Sequence, residues 1–411
     1  MPSLDALELA YLPMEEPGFA ADPFPHFAAA RAVHPWLARC AFGHVITSYE
    51  AMRELLWLDH SLTGAYDSVV EMMQARGTQW GRFQSESLLA QTGDAHKRIR
   101  SVLAPAFTPQ QANRHRPLMR AVIAGLLDEW VPRAEFDFED FAAMFPITVM
   151  ASLIGADPRV IPDIKDSLEA FGLSMSMDPA ILPRLEAAMQ TLDAFVQDLV
   201  ANRRAHPLPD GEADLLSILL RTQDEGKLTT RELYDLLVFL FVAGYDTSKN
   251  ALTLLMDVMI ERPDIYERCA TDLKYCGSVV EENFRYLTTS TIPRMVTKDI
   301  TWNGVTIPAG TNLFFPVSIS GRDPALPQAD AFDPEFPRER KHITFGMGVH
   351  ICMGQFIARA QIEEGLHLIA QRMRNPRRIG PSAWRPFFGV WGLKGLPIAF
   401  DPAPALATEP A

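Results

Sequence analysis

The chain has 411 residues, of which 48% are hydrophobic, and its formal net charge is −13 at pH 7. This apolar content provides a large core, and the length alone would favour two or three domains. The excess of acidic residues argues against nucleic acid as a partner, because phosphate binding needs a basic face. Four cysteines are too few for a disulfide framework, so we expect a reducing cytoplasm.

Neither the N-terminus nor the apolar segments indicate export or membrane insertion. Residues 1–8 lack the basic segment and long apolar core of a signal peptide. The longest apolar run, 236–244, is far shorter than the roughly 20 residues that span a bilayer. We therefore predict a cytoplasmic protein without a membrane anchor.

Helical periodicity dominates the chain. Apolar residues recur at three- and four-residue spacing in four main segments. These segments are 26–32, 114–130, 184–204 and 357–374.

Strand patterns are short and cluster near residue 300. Residues 300–307 have the pattern of a hairpin with its turn at Asn303-Gly304, and 311–316 that of a further strand. No Gly- and Ser-rich linker divides the chain. Although the length alone would favour two or three domains, we predict one mainly α-helical domain with minor β-sheets over 1–400. A disordered tail follows over 401–411.

The longest predicted helix begins near Thr229 and ends before Pro263. Thr229 and Glu232 have the spacing of a capping box, and the proline blocks continuation at the far end. The roughly 33 residues between them would span about 50 Å at 1.5 Å per residue. The middle, 236–243, is apolar on every side, so we expect this helix to run through the core.

The middle of this helix contains an unusual segment, Ala243-Gly-Tyr-Asp-Thr247. Gly244 costs about 1 kcal/mol relative to alanine inside a helix. Thr247 lies four residues after Ala243, so its hydroxyl can bond the Ala243 carbonyl and loosen the helical ladder. We expect a groove here in which a small ligand lies against the backbone. The alternative is a helix kink with a surface-reaching Asp246.

Two charged pairs have the spacing of one helical face. His96 and Arg100 are four residues apart, and Glu282 and Arg285 are three apart. Taken singly, each pair is typical of a solvated or ion-paired helix surface.

The loop Phe345–Gly354 has the sequence Phe-Gly-Met-Gly-Val-His-Ile-Cys-Met-Gly. Its glycines allow a tight fold, and a helix predicted from Gln355 would point N–H groups at the Cys352 thiolate, which suits a metal ligand. Zinc needs two to four N or S ligands and is disfavoured by a single cysteine. A haem iron with one thiolate ligand fits better. The alternative is a buried structural cysteine in a turn.

The pattern Phe-Gly-x-Gly-x-His-x-Cys-x-Gly resembles the haem-binding loop of the cytochrome P450 monooxygenases. Three further segments resemble motifs of that family in the same chain order: His96-x-x-x-Arg100, the oxygen-activation segment 243–247, and Glu282-x-x-Arg285. The resemblance implies the cytochrome P450 fold, a single large helical domain shaped like a triangular prism, with a long central helix over the haem.

On this resemblance the cofactor is haem b, iron protoporphyrin IX, and the Cys352 thiolate is the iron ligand. The two haem propionates need cationic donors where they are partly buried. Phe345 would pack near the sulfur and keep water away from it. The predicted cofactor-binding residues are His96, Arg100, Ala243, Gly244, Arg294, Phe345, Gly346, His350, Cys352 and Gly354, of which His96, Arg100, Arg294 and His350 would bind the propionates.

The resemblance also implies roles for side chains around the haem. Asp246 and Thr247 would relay protons to dioxygen so that the O–O bond breaks heterolytically. The Glu-x-x-Arg pair would join an arginine of the loop before the cysteine in a structural cluster. We predict that this arginine is Arg338, which lies one residue later in the chain than the usual spacing, and Arg340 is the alternative.

The implied activity is the insertion of one atom of O2 into a small apolar molecule, such as a terpenoid or norisoprenoid, an aromatic hydrocarbon, a fatty acid or a steroid. Because no flavin or iron–sulfur module is evident, electrons would come from a separate 2Fe–2S ferredoxin with its NAD(P)H-dependent reductase. We expect a monomer. Candidate ferredoxin-docking residues are Lys97, Arg98, Arg338, Arg340 and Lys341. Candidate substrate-pocket residues are Phe171, Met175, Val242, Ile292, Phe388 and Val390.

Two other functions remain open from the sequence. A peroxide-driven hydroxylase would tend to lack the acid–alcohol pair, which is present here as Asp246-Thr247. A non-catalytic haem sensor or carrier would need neither a proton relay nor an apolar cavity.

Overall fold

The computed structural model describes residues 4–209 and 214–404. Its α-helices are α1 Pro17–Ala21, α2 Phe24–Val33, α3 Tyr49–Leu55, α4 Tyr66–Met72, α5 Gln79–Glu86, α6 Gly93–Leu103, α7 Pro109–Arg114, α8 Arg116–Trp130, α9 Phe138–Ile154, α10 Ile161–Phe171, α11 Leu182–Ala205, α12 Leu215–Asp224, α13 Thr230–Ile260, α14 Pro263–Thr271, α15 Leu273–Tyr286, α16 Val317–Ser320 and α17 Gln355–Arg372.

The strands form small sheets. They are β1 Leu37–Cys40, β2 Gly43–Ile46, β3 Leu62–Gly64, β4 Glu135–Asp137, β5 Ile292–Val296, β6 Ile300–Trp302, β7 Val305–Ile307, β8 Asn312–Phe315, β9 Met373–Arg378, β10 Ala383–Trp384, β11 Leu393–Lys394 and β12 Pro397–Pro402. The largest sheet has the order β1-β2-β8-β5-β3, and a second has the order β4-β12-β9. The mainly α-helical fold with minor sheets is therefore confirmed.

The four periodic segments fall on helices except for residues 373 and 374, which begin β9, and one segment is divided. Segment 114–130 covers the end of α7 and the whole of α8. The break occurs because Pro117, which has no backbone N–H, starts a new helix at its first turn.

The long helix is confirmed as α13, with 31 residues. Thr229 and Glu232 form both bonds of the capping box, and α14 begins at Pro263. Apolar residues in the middle of α13, such as Leu237 and Phe241, are buried against the rest of the core. The helix thereby carries the segment 243–247 into the interior.

The hairpin is confirmed as β6 and β7. Asn303 and Gly304 have positive φ angles of 44° and 78°, as a two-residue turn between twisted strands requires. The tail prediction was wrong at its start, because Asp401 and Pro402 pair with β9 at the end of β12. Residues 405–411 lie outside the described part of the chain.

The buried apolar side chains of the described residues form one contiguous cluster, which includes residues from Leu12 to Phe400. Among the described residues, no helix is both long and apolar enough to cross a membrane.

Candidate active site

The loop that precedes α17 is folded as tightly as its glycines predict. Gly346 and Gly348 have φ angles of 70° and 71°, a conformation that glycine adopts readily. The Cys352 N–H donates to the Phe345 carbonyl at 2.9 Å and closes the loop. A Cβ at position 348 would lie 2.5 Å from a carboxylate oxygen of Asp59, so a larger residue there would displace Asp59 in addition to straining the backbone.

The environment of Cys352 combines exposure with desolvation. Its side chain is exposed, yet burial raises the pKa of the thiol. A side chain can be both exposed and desolvated when it lines a recess inside the protein. The N–H groups of Gly354 and Gln355, at the start of α17, bond the sulfur and act in the opposite direction, lowering its pKa. Burial has the larger effect on this thiol, and the start of α17 acts in favour of its ionised form.

Segment 243–247 of α13 also borders internal space. Ala243 is exposed although its helix is buried on both sides of it, and the Thr247 hydroxyl donates to the Ala243 carbonyl at 3.0 Å, as predicted. The expected groove at Gly244 is not supported. A Cβ there would lie 2.3 Å from Cε of Met150 on α9, so this glycine permits close helix packing.

Asp246 does not reach the surface, so the alternative prediction of a helix kink with an exposed Asp246 is wrong. It is 3% exposed, and its Oδ1 lies 2.9 Å from Nζ of Lys249. The Asn250 side chain donates to the Asp246 carbonyl at 2.8 Å. Asp246 is therefore a buried, ion-paired carboxylate one residue away from Thr247.

The four residues predicted to bind propionates come together beside the cysteine loop. The rings of His96 and His350 lie 4.3 Å apart, and Arg100 donates to the Ile351 carbonyl. Burial and its cationic neighbours lower the pKa of His350 to about 3. Those neighbours are Arg294, His96 and Arg100. Since the pKa of His96 is also lowered, both imidazoles are neutral at pH 7, and the positive charge here comes from Arg294 and Arg100, with Asp59 as a nearby carboxylate.

This cluster fits an anionic cofactor edge. Arg294, at the centre of β5, is 9% exposed, and burial lowers the pKa of its guanidinium. Within the described residues it forms no ion pair, and Nε2 of His96 is buried without a hydrogen-bond partner. A buried cation needs a charged partner, and the two carboxylates of haem would provide it.

The predicted structural cluster is present, and its third member is resolved. Arg285 binds Glu282 through two hydrogen bonds of 2.8 and 2.7 Å, and both side chains are buried. Arg338 adds a contact of 2.8 Å to the same carboxylate. Arg340 instead binds Glu50 on α3. The cluster therefore fastens α15 to the chain that leads into the cysteine loop.

Sequence reasoning missed the adjacent residue, Glu281. Its carboxylate accepts a hydrogen bond from Arg359 of α17 and lies 3.1 Å from Nε2 of His342. Burial alone would raise the pKa of Glu281, but these two partners lower it to about 2. Glu281 and Arg359 are 78 residues apart, so no local spacing rule could have connected them.

The predicted pocket residues differ in how deeply they are buried. Phe388 packs at 5.4 Å from the Phe42 ring and 5.2 Å from the Phe314 ring, so it belongs to the core and its prediction was wrong. Phe171 is likewise buried, edge-on to Phe83. Ile292 is nearer to the site: its Cδ1 is 3.3 Å from the position of a Cβ on Gly346.

The three other pocket candidates are partly buried. Met175 lies against Gly389, where a Cβ would be 2.7 Å from the Met175 Cβ. Val390 forms a backbone bridge with Ser290. Val242 precedes the exposed Ala243 on α13 and is the candidate nearest to segment 243–247.

Comparisons with known proteins agree with this arrangement. Residues 163–375 match the family model for cytochrome P450. Luteothin monooxygenase of Streptomyces thioluteus is 30% identical over 402 residues, which cover 96% of this chain and 97% of that enzyme. The biotin biosynthesis cytochrome P450 of Bacillus subtilis is 26% identical over 400 residues, covering 93% and 97%.

Solved structures show the same fold. P450BioI, in complex with an acyl carrier protein that carries hexadec-9Z-enoic acid, superposes with a TM-score of 0.84 at 24% identity, covering 93% of this chain and 100% of that one. CalO2 superposes with a TM-score of 0.85 at 21% identity, covering 96% and 100%. The chain therefore belongs to the cytochrome P450 family of haem-thiolate monooxygenases.

Proposed function

We propose that the protein binds haem b through the Cys352 thiolate and inserts one atom of O2 into a small, neutral, apolar molecule. The observation that carries this proposal is Arg294, a buried cation that forms no ion pair among the described residues and meets His96, Arg100 and His350 beside the cysteine loop. A haem bound here would give Arg294 and Arg100 its propionates as partners, and Cys352 would hold its iron. The contiguous core supports a single haem domain over 1–400.

The remaining residues of the loop would hold the cofactor edge. The Phe345 ring is fixed between Phe284, whose ring centre is 5.0 Å away, and the Arg359 guanidinium, 4.4 Å from the ring centre. Held there, Phe345 would exclude water from the sulfur. Gly346 and Gly354 would allow close approach of the macrocycle. When bound, a haem with a thiolate ligand supplies activation of dioxygen and favours O–O cleavage.

We assign proton delivery to Asp246 and Thr247. The Thr247 hydroxyl lies next to the exposed Ala243, at the recess, whereas the Asp246 carboxylate faces the interior of the protein. This order suits a relay in which Asp246 supplies the proton and Thr247 presents it to dioxygen.

The substrate is proposed to be neutral because α13 turns its charges away from the recess. The Asp246 carboxylate is held by Lys249, while Ala243 and Val242 present apolar surface. A cationic substrate would find no free carboxylate on this segment. Among the expected compounds, this favours terpenoids or norisoprenoids, aromatic hydrocarbons and steroids over fatty acids, which carry a carboxylate.

A Thr247→Ala variant tests the assigned relay. We expect NAD(P)H consumption to continue while product per NAD(P)H falls by about 10-fold or more, with hydrogen peroxide as the other product; general acid–base groups contribute roughly 10²–10⁴-fold. The matched control is Thr253→Ala, which loses the same kind of bond to the carbonyl four residues earlier in α13. Equal coupling in the two variants contradicts a catalytic role for Thr247.

Electrons are proposed to come from a separate ferredoxin that docks near the cysteine loop. Arg98 is paired with Glu232, Arg338 with Glu282 and Arg340 with Glu50, whereas Lys97 has only a 3.7 Å contact with the fully exposed Asp94. Lys97 and Lys341 are exposed and better suited to an acidic partner. The buried free thiols of Cys40, Cys269 and Cys276 support a reducing cytoplasm as the location, and we propose a monomer.

Reversing the charge of Lys97 tests this docking surface. Lys97→Glu should slow reduction by the ferredoxin about 10-fold at low ionic strength, and the difference should shrink as salt screens it. Substrate affinity should not change. Arg184→Glu on α11 is an equal charge reversal outside the surface and should have no such effect. Unchanged reduction kinetics in Lys97→Glu would contradict the docking site.

A further inference from the structure

Asp246 belongs to a buried group of four charges, here called the quartet: Asp246, Lys249, Glu139 and Arg385. Lys249 Nζ lies 2.9 Å from Asp246 Oδ1 and 3.3 Å from Glu139 Oε1. Arg385 binds Glu139 at 2.6 Å and lies 3.6 Å from Asp246. Lys249 is 0% exposed. Desolvating each ion costs several kcal/mol, so this arrangement calls for a functional reason.

The elements around the quartet bring together charges from distant parts of the chain. Asp246 and Lys249 lie on α13, Glu139 lies in the first turn of α9, and Arg385 follows β10. Burial opposes the ionisation of Glu139, but the charges of Lys249 and Arg385 hold its pKa below the ordinary value. The Gly395 N–H also donates to Glu139 at 2.7 Å.

Several polar atoms of this region lack a hydrogen-bond partner among the described residues. Two of them are oxygens that face glycines. A Cβ on Gly172 would lie 2.3 Å from Asp246 Oδ2, and a Cβ on Gly392 would lie 2.2 Å from Asn250 Oδ1. Buried polar atoms of this kind are normally satisfied by internal water. The unpartnered atoms are Asp246 Oδ2, Asn250 Oδ1 and Arg385 Nε.

A series of contacts leads from the quartet to the surface, and its first member is a cation–π contact. Lys249 Nζ lies 5.1 Å from the centre of the Tyr245 ring, and the Tyr245 hydroxyl donates to Glu169 Oε1 at 2.9 Å. Glu169 pairs with Lys165 at 3.0 Å, and their side chains are 29% and 25% exposed. Lys165 is also 4.0 Å from the exposed Asp140. Solvent therefore reaches the outer end of this series.

The protonation states along this series suit proton transfer. Burial and then Glu169 raise the pKa of Tyr245, so its hydroxyl keeps its proton. Burial opposes ionisation of Glu169, but the charges of Lys249 and Lys165 lower its pKa. An ionised acceptor at the surface end is thus followed by a neutral hydroxyl further in, and a hydroxyl can accept one proton while it donates another.

We propose that Lys249, Arg385 and Glu139 are positioning residues that hold Asp246 against internal water, and that protons reach Asp246 from the surface at Glu169 through Tyr245 and this water. The proposal rests on the proton-donating role proposed for Asp246. Each proton that Asp246 gives up is replaced by one from the adjacent water, which bulk solvent replenishes through Glu169. No electron moves along this path.

A purely structural role for the quartet makes a different prediction. Replacing a buried ion pair with apolar side chains is often neutral or even stabilising, whereas removing one partner destabilises by about 3–5 kcal/mol. Loss of stability in a Lys249 variant would therefore not by itself support the proposal. The readout must be the partition of electrons between product and peroxide.

The test compares variants of the haem-loaded protein by product formed per NAD(P)H, hydrogen peroxide formed, and substrate affinity. Lys249→Met should lower product per NAD(P)H by about 10-fold, near the lower end of the 10–100-fold cost of losing a supporting partner. Tyr245→Phe keeps the ring and loses only the hydroxyl, and should raise the solvent deuterium isotope effect on product formation. Substrate affinity should not change in either variant.

Two further variants separate positioning from general damage. Gly172 has a φ angle of −57°, which alanine adopts freely, so Gly172→Ala should uncouple the enzyme only by crowding the Asp246 carboxylate. Arg203→Met removes a partly buried pair with Asp214 that does not touch the quartet. It should lower stability without changing the product-to-peroxide ratio.

The Asp246→Asn variant distinguishes a failure of the proton-donating role of Asp246 from a failure of the positioning proposal. If Asp246→Asn leaves coupling unchanged, the proposed function is wrong at this residue. If Asp246→Asn uncouples the enzyme while Lys249→Met and Tyr245→Phe behave like Arg203→Met, the positioning and entry roles are overturned. A crystal structure gives an independent readout: ordered water should contact Asp246 Oδ2 or Asn250 Oδ1, and a dry site would contradict the proposal.

Discussion

A Cys352→Ser variant should keep its fold and lose monooxygenase activity by more than the roughly 100-fold that loss of a supporting partner near a metal costs. The thiolate is the iron ligand in our account and donates the electron density that favours O–O cleavage. A serine hydroxyl at the same place is not ionised at neutral pH. The absorption spectrum of the bound haem and the rate of product formation measure the change.

Cys40→Ser is the matched control. Cys40 is a buried free cysteine on β1, so the same atom is replaced without touching the loop before α17. We expect this variant to retain the haem spectrum and the activity of the parent protein. Full activity in Cys352→Ser would exclude the thiolate as the iron ligand.

Arg285→Met should be the most destabilising single change outside the haem site. Arg285 is buried, bonds Glu282 twice, and donates to the carbonyls of Gly321, Ala329 and Ala331. Its removal leaves a buried carboxylate with one fewer partner and takes this donor from three carbonyls, of which Ala331 keeps a 3.4 Å bond from Arg338. We expect a loss of about 3–5 kcal/mol in the free energy of unfolding, measured by denaturant titration, together with weaker haem retention.

The control for Arg285→Met is Arg340→Met. Both changes remove an arginine from an ion pair, but the pair between Arg340 and Glu50 is exposed, with 51% and 38% of the two side chains accessible. Such pairs contribute about 0–1 kcal/mol. Equal losses in the two variants would mean that the Glu282 cluster is not a buried anchor.

Local chemistry explains which parts of this structure the sequence could predict. The capping box at Thr229, the turn at Asn303 and the glycines around Cys352 each act within a few residues, so their patterns predicted real features. The motif spacings also placed His96 and Arg294 correctly relative to the cysteine loop, because the family resemblance contributes knowledge of distant contacts that periodicity lacks.

Long-range packing explains the failures. We expected a groove at Gly244. Whether a glycine opens space depends on the residue that packs against it, and here Met150 of α9 fills that space. A phenylalanine such as Phe388 is equally compatible with a pocket and with the core. Its contacts with the rings of Phe42 and Phe314 place it in the core. The quartet joins residues as far apart as Glu139 and Arg385, which no sequence spacing connects.

The most direct measurement of the central claim is the fate of labelled dioxygen. A titration with a panel of apolar compounds, followed through the haem absorption, first identifies a ligand. Turnover of that compound with NAD(P)H, ferredoxin, reductase and dioxygen labelled with heavy oxygen should give a product with one labelled oxygen atom, the other atom leaving as water. A product without label, or oxidation that proceeds only with added peroxide, would contradict the account.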